Sequence, residues 1–388
     1  MPPPTMPFQP VQLLYAFLDL QDGGAERLTL AACRHLNRER FHPGVLCLRG
    51  GGALVSAAVR QGLPVHELHR LRQRRDWRAV PATARWLRAV GAQIVHVALY
   101  SRASPYARAA ARLARVPLVV AHEWCRPRPP APARRLADRV LRPGTVFVAA
   151  SQALRGELLA AGLPEERVAL VYSGIETEAF APGDRAAARA AAGLPPGRPI
   201  VLVPARLHPM KGHVDLLAAL PSVRRRVPGV LVLCAGDGPL RVALPALAAA
   251  AGLDEHMVFA GQRHDMDRLL AACDVVALPS RVEGLPSAML EALCAARPVV
   301  ATAVGGVPEV MVGGVGGWTV PPRAPAALAE ALVTALSAPA VAAARARSGR
   351  AVVLERFRAD QAARRLEAVY EHWLTRPAGR PAGETSPP

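Results

Sequence analysis

At 388 residues, about half of them apolar, the chain is too long for one typical core and too apolar for global disorder, so two domains are expected. The formal charge is +18, and most of it falls in residues 49–142, where 19 Arg stand against Glu67, Asp76, Glu123 and Asp138. No apolar stretch reaches the roughly 18–20 residues of a membrane span, and the six cysteines form no Cys-x-x-Cys pair, which argues against zinc and disulfide staples.

The start, Met-Pro-Pro-Pro-Thr-Met-Pro, lacks the basic and apolar regions of a signal peptide, so a cytoplasmic protein is expected. Positive surface of this density draws anionic membranes, nucleic acid or phosphorylated substrates. A compositional bias accounts for part of it, because the chain has a single lysine, Lys211, and a single asparagine, Asn37.

In chain order, the apolar run Val11–Leu18 reads as a first strand, followed by a polar turn, Asp19–Gly24, and a helix over Ala25–Leu36. Further strand candidates lie at Gly44–Leu48, Pro64–Leu68, Ile94–Ala98, Leu118–Ala121, Val146–Ala150 and Val168–Tyr172, most of them separated by Arg- and Ala-rich helical stretches. A Pro-rich loop, Arg126–Pro132, interrupts the pattern. The segment Ala181–Pro199, rich in Pro and Gly, is the best boundary in the sequence. A second alternation follows, with strands at Ile200–Ala205, Val230–Ala235, Met257–Ala260, Asp274–Leu278 and Pro298–Ala301, and a short last candidate at Trp318–Val320. The end is helical through Leu374, with a disordered tail expected from Arg376. Strands alternating with helices predict right-handed crossovers and parallel sheets. The fold class is therefore α/β, with two doubly wound units in series: residues 1–180 and 181–375, the last helix free to pack back on the first domain, then the tail 376–388.

In such units ligands bind beyond the carboxyl ends of the strands. Four connections there carry chemistry. Arg206 and Lys211 follow the strand Ile200–Ala205, and two permanent cations at a strand's end can clamp a diphosphate, the guanidinium as a fork and the ammonium as a point charge. Glu283-Gly-Leu-Pro-Ser-Ala-Met-Leu-Glu291 joins a strand to a helix start. Free N–H groups at such a start favour anions, and the Glu291 side chain, leaning toward the N-terminus, points back to the same place. Gly236-Asp-Gly-Pro239 and Gly23-Gly-Ala-Glu26 are glycine turns at helix starts that allow close backbone approach. Neither is a Gly-x-Gly-x-x-Gly fingerprint. Asp265-Met-Asp267 has the spacing of an Asp-x-Asp metal pair, but Asp265 is read as an N-cap. His96, on a strand, is read as structural.

Together these motifs resemble the retaining glycosyltransferases of family 4, over Val11 to about Trp373. Glu283 and Glu291 with Gly284-Leu285-Pro286 between them carry most of the likeness. Arg206 with Lys211 comes next, then Val304-Gly-Gly-Val-Pro-Glu309. Weaker matches lie at Gly23–Glu26, Val119–Glu123, Ala150–Gln152 and Tyr172–Glu176. The resemblance implies the GT-B architecture, two Rossmann-like domains facing across a cleft. It also implies metal-independent transfer of a sugar from a nucleotide-sugar donor, UDP-sugar foremost, to a glycan or lipid-linked acceptor in cell-surface polysaccharide, lipopolysaccharide or glycolipid biosynthesis. No cofactor is implied, and the enzyme would be cytoplasmic or peripheral on the inner face of the plasma membrane.

Residue by residue, Arg206 and Lys211 would hold the diphosphate together with backbone N–H groups at Gly284 and Leu285. Glu291 would hold the ribose and Glu283 the donor sugar. His122 would stabilise the charge that develops at the anomeric carbon. Gly24 and Gly236 would approach the ligand, and Arg263 would sit by the base. The sequence departs from the family in having Ala205 and Ser173 where Gly and Asn are usual.

An epimerase or phosphorylase on the same fold is the alternative enzyme reading, although those families do not share this glutamate-spaced motif. A glycoside hydrolase using Glu283 and Glu291 is disfavoured by the phosphate-type site around them. A nucleic-acid binder is disfavoured because residues 49–142 lack interleaved aromatics.

Overall fold

The computed structural model describes residues 9–69, 77–97, 103–125, 136 and 139–375. The Arg126–Pro132 loop and the tail from Arg376 lie outside the described residues. Two compact units divide the chain: one comprises the residues up to Gly174 together with those from Ala359 onward, and the other is Ile175–Arg358. The chain enters the second unit at Ile175, whose N–H donates to Phe357 O at 2.9 Å.

In the first unit the strands are β1 (Val11–Phe17), β2 (Phe41–Cys47), β3 (Val65–Glu67), β4 (Ile94–Val97), β5 (Leu118–Glu123), β6 (Thr145–Ala149) and β7 (Val168–Leu170). They form a parallel sheet in the order β3-β2-β1-β4-β5-β6-β7. The second unit has β8 (Ile200–Pro204), β9 (Leu231–Ala235), β10 (Met257–Phe259), β11 (Val275–Leu278), β12 (Val299–Thr302) and β13 (Gly317–Val320). Its order is β10-β9-β8-β11-β12-β13. These are two doubly wound Rossmann-like sheets. Their strands read as continuous apolar runs because helices cover both faces of a parallel sheet. In each, the winding reverses once, between β1 and β4 and between β8 and β11, and that crevice is where such folds take ligands.

The last helix, Ala359–Leu374, belongs to the first unit. Ala363, Leu366 and Tyr370 recur at helical spacing and are buried with Cys33, Leu36 and Phe41. Leu366→Ala is expected to cost about 2–5 kcal/mol, read as a lower urea midpoint for the first unit.

Candidate active site

In the second unit the loops after β8, β9, β11 and β12 interlock at the carboxyl edge. Gly212 lies in the left-handed region, at φ 68°, and a Cβ there would collide with the carbonyl of Pro279. Gly305, at φ 54°, likewise passes too close to the carbonyl of Glu283 for a Cβ. No side chain fits at either position, so both glycines are required by the approach of one loop to another. Arg281 ties the loops further. Its N–H donates to Met210 O at 2.7 Å, and its guanidinium holds both carboxylate oxygens of Asp215 at 2.9 and 2.7 Å.

This scaffold sets one pair of side chains against each other. Lys211 Nζ donates to Glu283 Oε1 at 2.6 Å, and Ser280 Oγ donates to the same oxygen at 2.7 Å. Thr302 Oγ1 donates to the carbonyl of Ser280, holding that loop from the β12 side. The Glu283 side chain is 9% exposed and that of Lys211 27%. The pair is therefore sheltered but open on the lysine side. An ammonium has three N–H donors, so Lys211 can keep Glu283 and still donate to a phosphate oxygen.

Beside it, the helix Ser287–Cys294 begins at Pro286 with no side chain capping its first N–H groups. Gly284, Leu285 and Pro286 are buried, and Glu291 stands half-buried on the helix. Arg206 is exposed after β8. Gly236 packs against the carbonyl of Ala205, and its N–H donates to Gly261 O at 2.7 Å. Ala205 itself is not among the positive-φ residues, which explains why alanine is tolerated there.

Two local expectations need correction. Asp265 occupies the N-cap position of the helix Met266–Ala272 but makes no side-chain cap. Arg263 takes both of its oxygens instead, at 2.8 and 2.6 Å, because a bidentate guanidinium pair is stronger than a single cap bond. Pro239 does not begin a helix. It stands in a turn, and the helix starts at Ala243. Among the described residues no group of three His, Cys, Asp or Glu side chains could hold a metal ion, and no single helix is long and apolar enough to cross a membrane.

In the first unit, His122 lies at the carboxyl end of β5, 4% exposed. Its ring stacks on Trp124, with centroids 4.1 Å apart and planes 17° apart. Nδ1 lies 3.2 Å from His96 Nε2, and Nε2 has no hydrogen-bond partner. Gly24, exposed, begins the helix Gly24–Arg34. The Glu26 carboxylate fills the space beside Gly23 where a Cβ would stand. That helix start thus already carries an acid, which weighs against a phosphate there.

Burial pushes His122 down to about 3, and it pushes His96 well below the usual histidine range. His213, beside Lys211, is pushed to about 4 by burial, with a further contribution from the lysine charge. An unfolded chain takes up these protons near pH 6.5, whereas the folded protein does not. Stability present above that pH is therefore lost as the pH falls below about 6.5, by about 1.4 kcal/mol per pH unit for His213 until about 4 and for His122 until about 3, with His96 acting in the same direction. Urea midpoints measured between pH 7 and pH 4.5 should fall accordingly, and His122→Asn should flatten the decline.

Sequence reasoning missed Ser280, Thr302, Asp215 and Arg281 as supports. Ser280 and Arg281, three and two residues before Glu283, were the only local signals among them.

The family model described as Glycosyltransferase Family 4 matches residues 22–179, and the one described as Glycosyl transferases group 1 matches residues 184–352. A D-inositol 3-phosphate glycosyltransferase of Mycobacterium sp. strain KMS is 40% identical over 159 residues, which are 39% of this chain and 35% of that protein. A GDP-mannose-dependent alpha-(1-6)-phosphatidylinositol monomannoside mannosyltransferase of Mycolicibacterium smegmatis is 33% identical over 235 residues, 58% of this chain and 62% of that protein. The chain thus spans less than two thirds of the length of these curated relatives. The crystal structure of Anabaena HepE in complex with UDP and glucose superposes with a TM-score of 0.81 at 22% identity, covering 93% of this chain and all of that one. Two family models that between them cover both Rossmann-like units, on a fold shared with solved glycosyltransferases, place the chain in glycosyltransferase family 4, with the GT-B fold.

Proposed function

We propose that this protein moves a sugar from a nucleotide-sugar donor to a glycan or lipid-linked acceptor, with retention of configuration and without a metal ion. The observation that carries this reading is the Lys211–Glu283 pair, held at the β8/β11 crevice beside an uncapped helix start. Breaking a sugar–phosphate bond puts negative charge on the leaving diphosphate and positive character on the sugar. Lys211, Arg206 and the N–H groups at Leu285 and beyond stabilise the first, and such preorganised charge is commonly the largest contribution to catalysis.

In the roles proposed, Glu291 holds the ribose hydroxyls, Glu283 contacts the donor sugar, and His122 supplies a polar contact to it. A donor phosphate oxygen helps take the acceptor's proton, so no dedicated base is required. Arg263 is committed to Asp265, so any contact of that loop with the base runs through backbone or through the pair together. Gly236 is proposed to line the donor site, and Gly24 to face the acceptor rather than a phosphate.

A UDP-sugar is the donor favoured here, since HepE was crystallised with UDP and glucose. GDP-mannose comes second, on the name of the mycobacterial mannosyltransferase. The phosphatidylinositol compound in the mannosyltransferase's name supports a membrane-linked acceptor, whereas the D-inositol 3-phosphate in the other relative's name is a soluble one. The Arg excess over residues 49–142 would then hold the enzyme at an anionic surface.

Product analysis tests the reading. Incubation with UDP- and GDP-sugars and candidate phosphoinositol acceptors should release the nucleoside diphosphate and yield a glycosylated acceptor. Recovery of only an epimerised nucleotide sugar would assign the chain to the alternative chemistry.

A further inference from the structure

The His122 contacts extend into a chain of buried groups. Tyr15 pairs in register with His96 across β1 and β4, and His96 with Val120 across β4 and β5. Side chains alternate along a strand, so His122, two residues beyond Val120, shares a sheet face with Tyr15 and His96. Tyr370 reaches the same face from the helix Ala359–Leu374. The resulting contacts are Tyr15 OH to Tyr370 OH at 2.9 Å, Tyr370 OH to His96 Nδ1 at 2.6 Å, and His96 Nε2 to His122 Nδ1 at 3.2 Å. Tyr15, His96 and Tyr370 are at most 1% exposed. His122, at the far end, lines a cavity of about 10 Å³ together with Ser173, close to the least space that holds one water or hydroxyl. Ser173 Oγ, like His122 Nε2, is buried without a partner.

Each neutral imidazole carries one N–H, so the direction of the chain is set wherever one donor is fixed. The Tyr370–His96 contact fixes it. A phenol is a far stronger acid than a neutral imidazole N–H, and an imidazole nitrogen is the stronger base. The 2.6 Å separation is also shorter than the ordinary range for an N–H donor and lies within that of an O–H donor. Tyr370 therefore donates to His96 Nδ1, which places the His96 proton on Nε2. That proton is donated to His122 Nδ1, which leaves the His122 proton on Nε2.

We infer that Tyr370 and His96 are positioning residues that hold His122 in its neutral Nε2–H form, so that it offers the cavity a hydrogen-bond donor and not a base. The inference rests on the reading above that His122 contacts the donor sugar. It specifies that contact: the ring donates to an oxygen, such as a sugar hydroxyl, and takes no proton.

Tautomers are read directly by long-range proton–nitrogen NMR correlation on the full chain labelled with nitrogen-15 histidine. His122 is expected to be protonated at Nε2 and bare at Nδ1. Tyr370→Phe removes the donor that fixes the chain and should shift His122 to a mixture of tautomers, with kcat about tenfold lower and the donor KM nearly unchanged. Tyr15→Phe leaves Tyr370 donating to His96 and should keep the Nε2–H form. It also provides a second variant should Tyr370→Phe fold poorly. A bare His122 Nε2 in the parent protein overturns the inference, as does loss of the Nε2–H form in Tyr15→Phe or its full persistence in Tyr370→Phe. The NMR result stands apart from turnover. An Nε2–H form in a protein that transfers no sugar sinks the functional reading and leaves the tautomer assignment intact.

Discussion

Lys211→Ala is expected to lower kcat/KM by about 10²- to 10³-fold, equivalent to about 2.7–4 kcal/mol of transition-state stabilisation. The loss should appear in both parameters. Removing a phosphate contact present in the ground state raises the donor KM, and removing charge that opposes the developing diphosphate lowers kcat. The variant also leaves the sheltered Glu283 carboxylate with Ser280 but without its cation, and an unpaired sheltered charge costs stability. The double variant Lys211→Ala, Glu283→Gln removes that unpaired charge. It should recover part of the lost thermal stability and none of the lost rate. Steady-state kinetics with the donor varied, together with a melting curve for each variant, separate the two effects. Lys211→Arg should retain more activity than Lys211→Ala, because charge is kept, yet fall short of the parent, because a planar fork does not replace a point charge.

Gly212→Ala has the largest expected effect on folding. Its backbone is left-handed, and the added methyl would meet the Pro279 carbonyl, which belongs to the main chain and cannot swing away. A cost of about 3 kcal/mol or more is expected, which for a unit of this size is a fall in Tm of about 6–12 °C. Gly252→Ala is the control. Its φ is also positive, at 61°, but nothing lies within 4 Å of the added Cβ, so the cost should be only about 1 kcal/mol. Calorimetry on the two variants decides whether close approach or dihedral preference dominates. Because the same contact sets where Lys211 lies relative to Glu283, Gly212→Ala should also lose activity below its melting temperature, and Gly252→Ala should not.

Much of the fold could be read before any coordinates. Apolar runs such as Val275–Leu278 and Ile200–Pro204 are too short for helices and too apolar for exposed strands, and a buried parallel strand is what remains. The placement of Arg206, Lys211 and Glu283 was legible for the same reason: they stand just past runs whose type was clear.

Interactions distant in sequence were not legible. Tyr370 lies 274 residues from His96 and 355 from Tyr15, and nothing local in the helix Ala359–Leu374 distinguishes a tyrosine that fills the core from one that directs a hydrogen bond. His96 was read as structural, and it is buried. That reading could not reveal that its partner is His122. Asp265 shows the opposite limit. Its N-cap reading rested on its place between a loop and a helix start, which does not show that Arg263, two positions before it, takes the carboxylate instead.

In the proposed function, the β8/β11 crevice of the second unit binds a nucleotide sugar through Lys211 and Glu291. A thermal-shift screen of the parent protein against UDP-, GDP- and ADP-sugars, repeated with Lys211→Ala and Glu291→Ala, tests it most directly. At least one of these donors is expected to raise the melting temperature of the parent, and both variants to lose most of that rise. A parent that none of them stabilises, or variants that respond as the parent does, would contradict it.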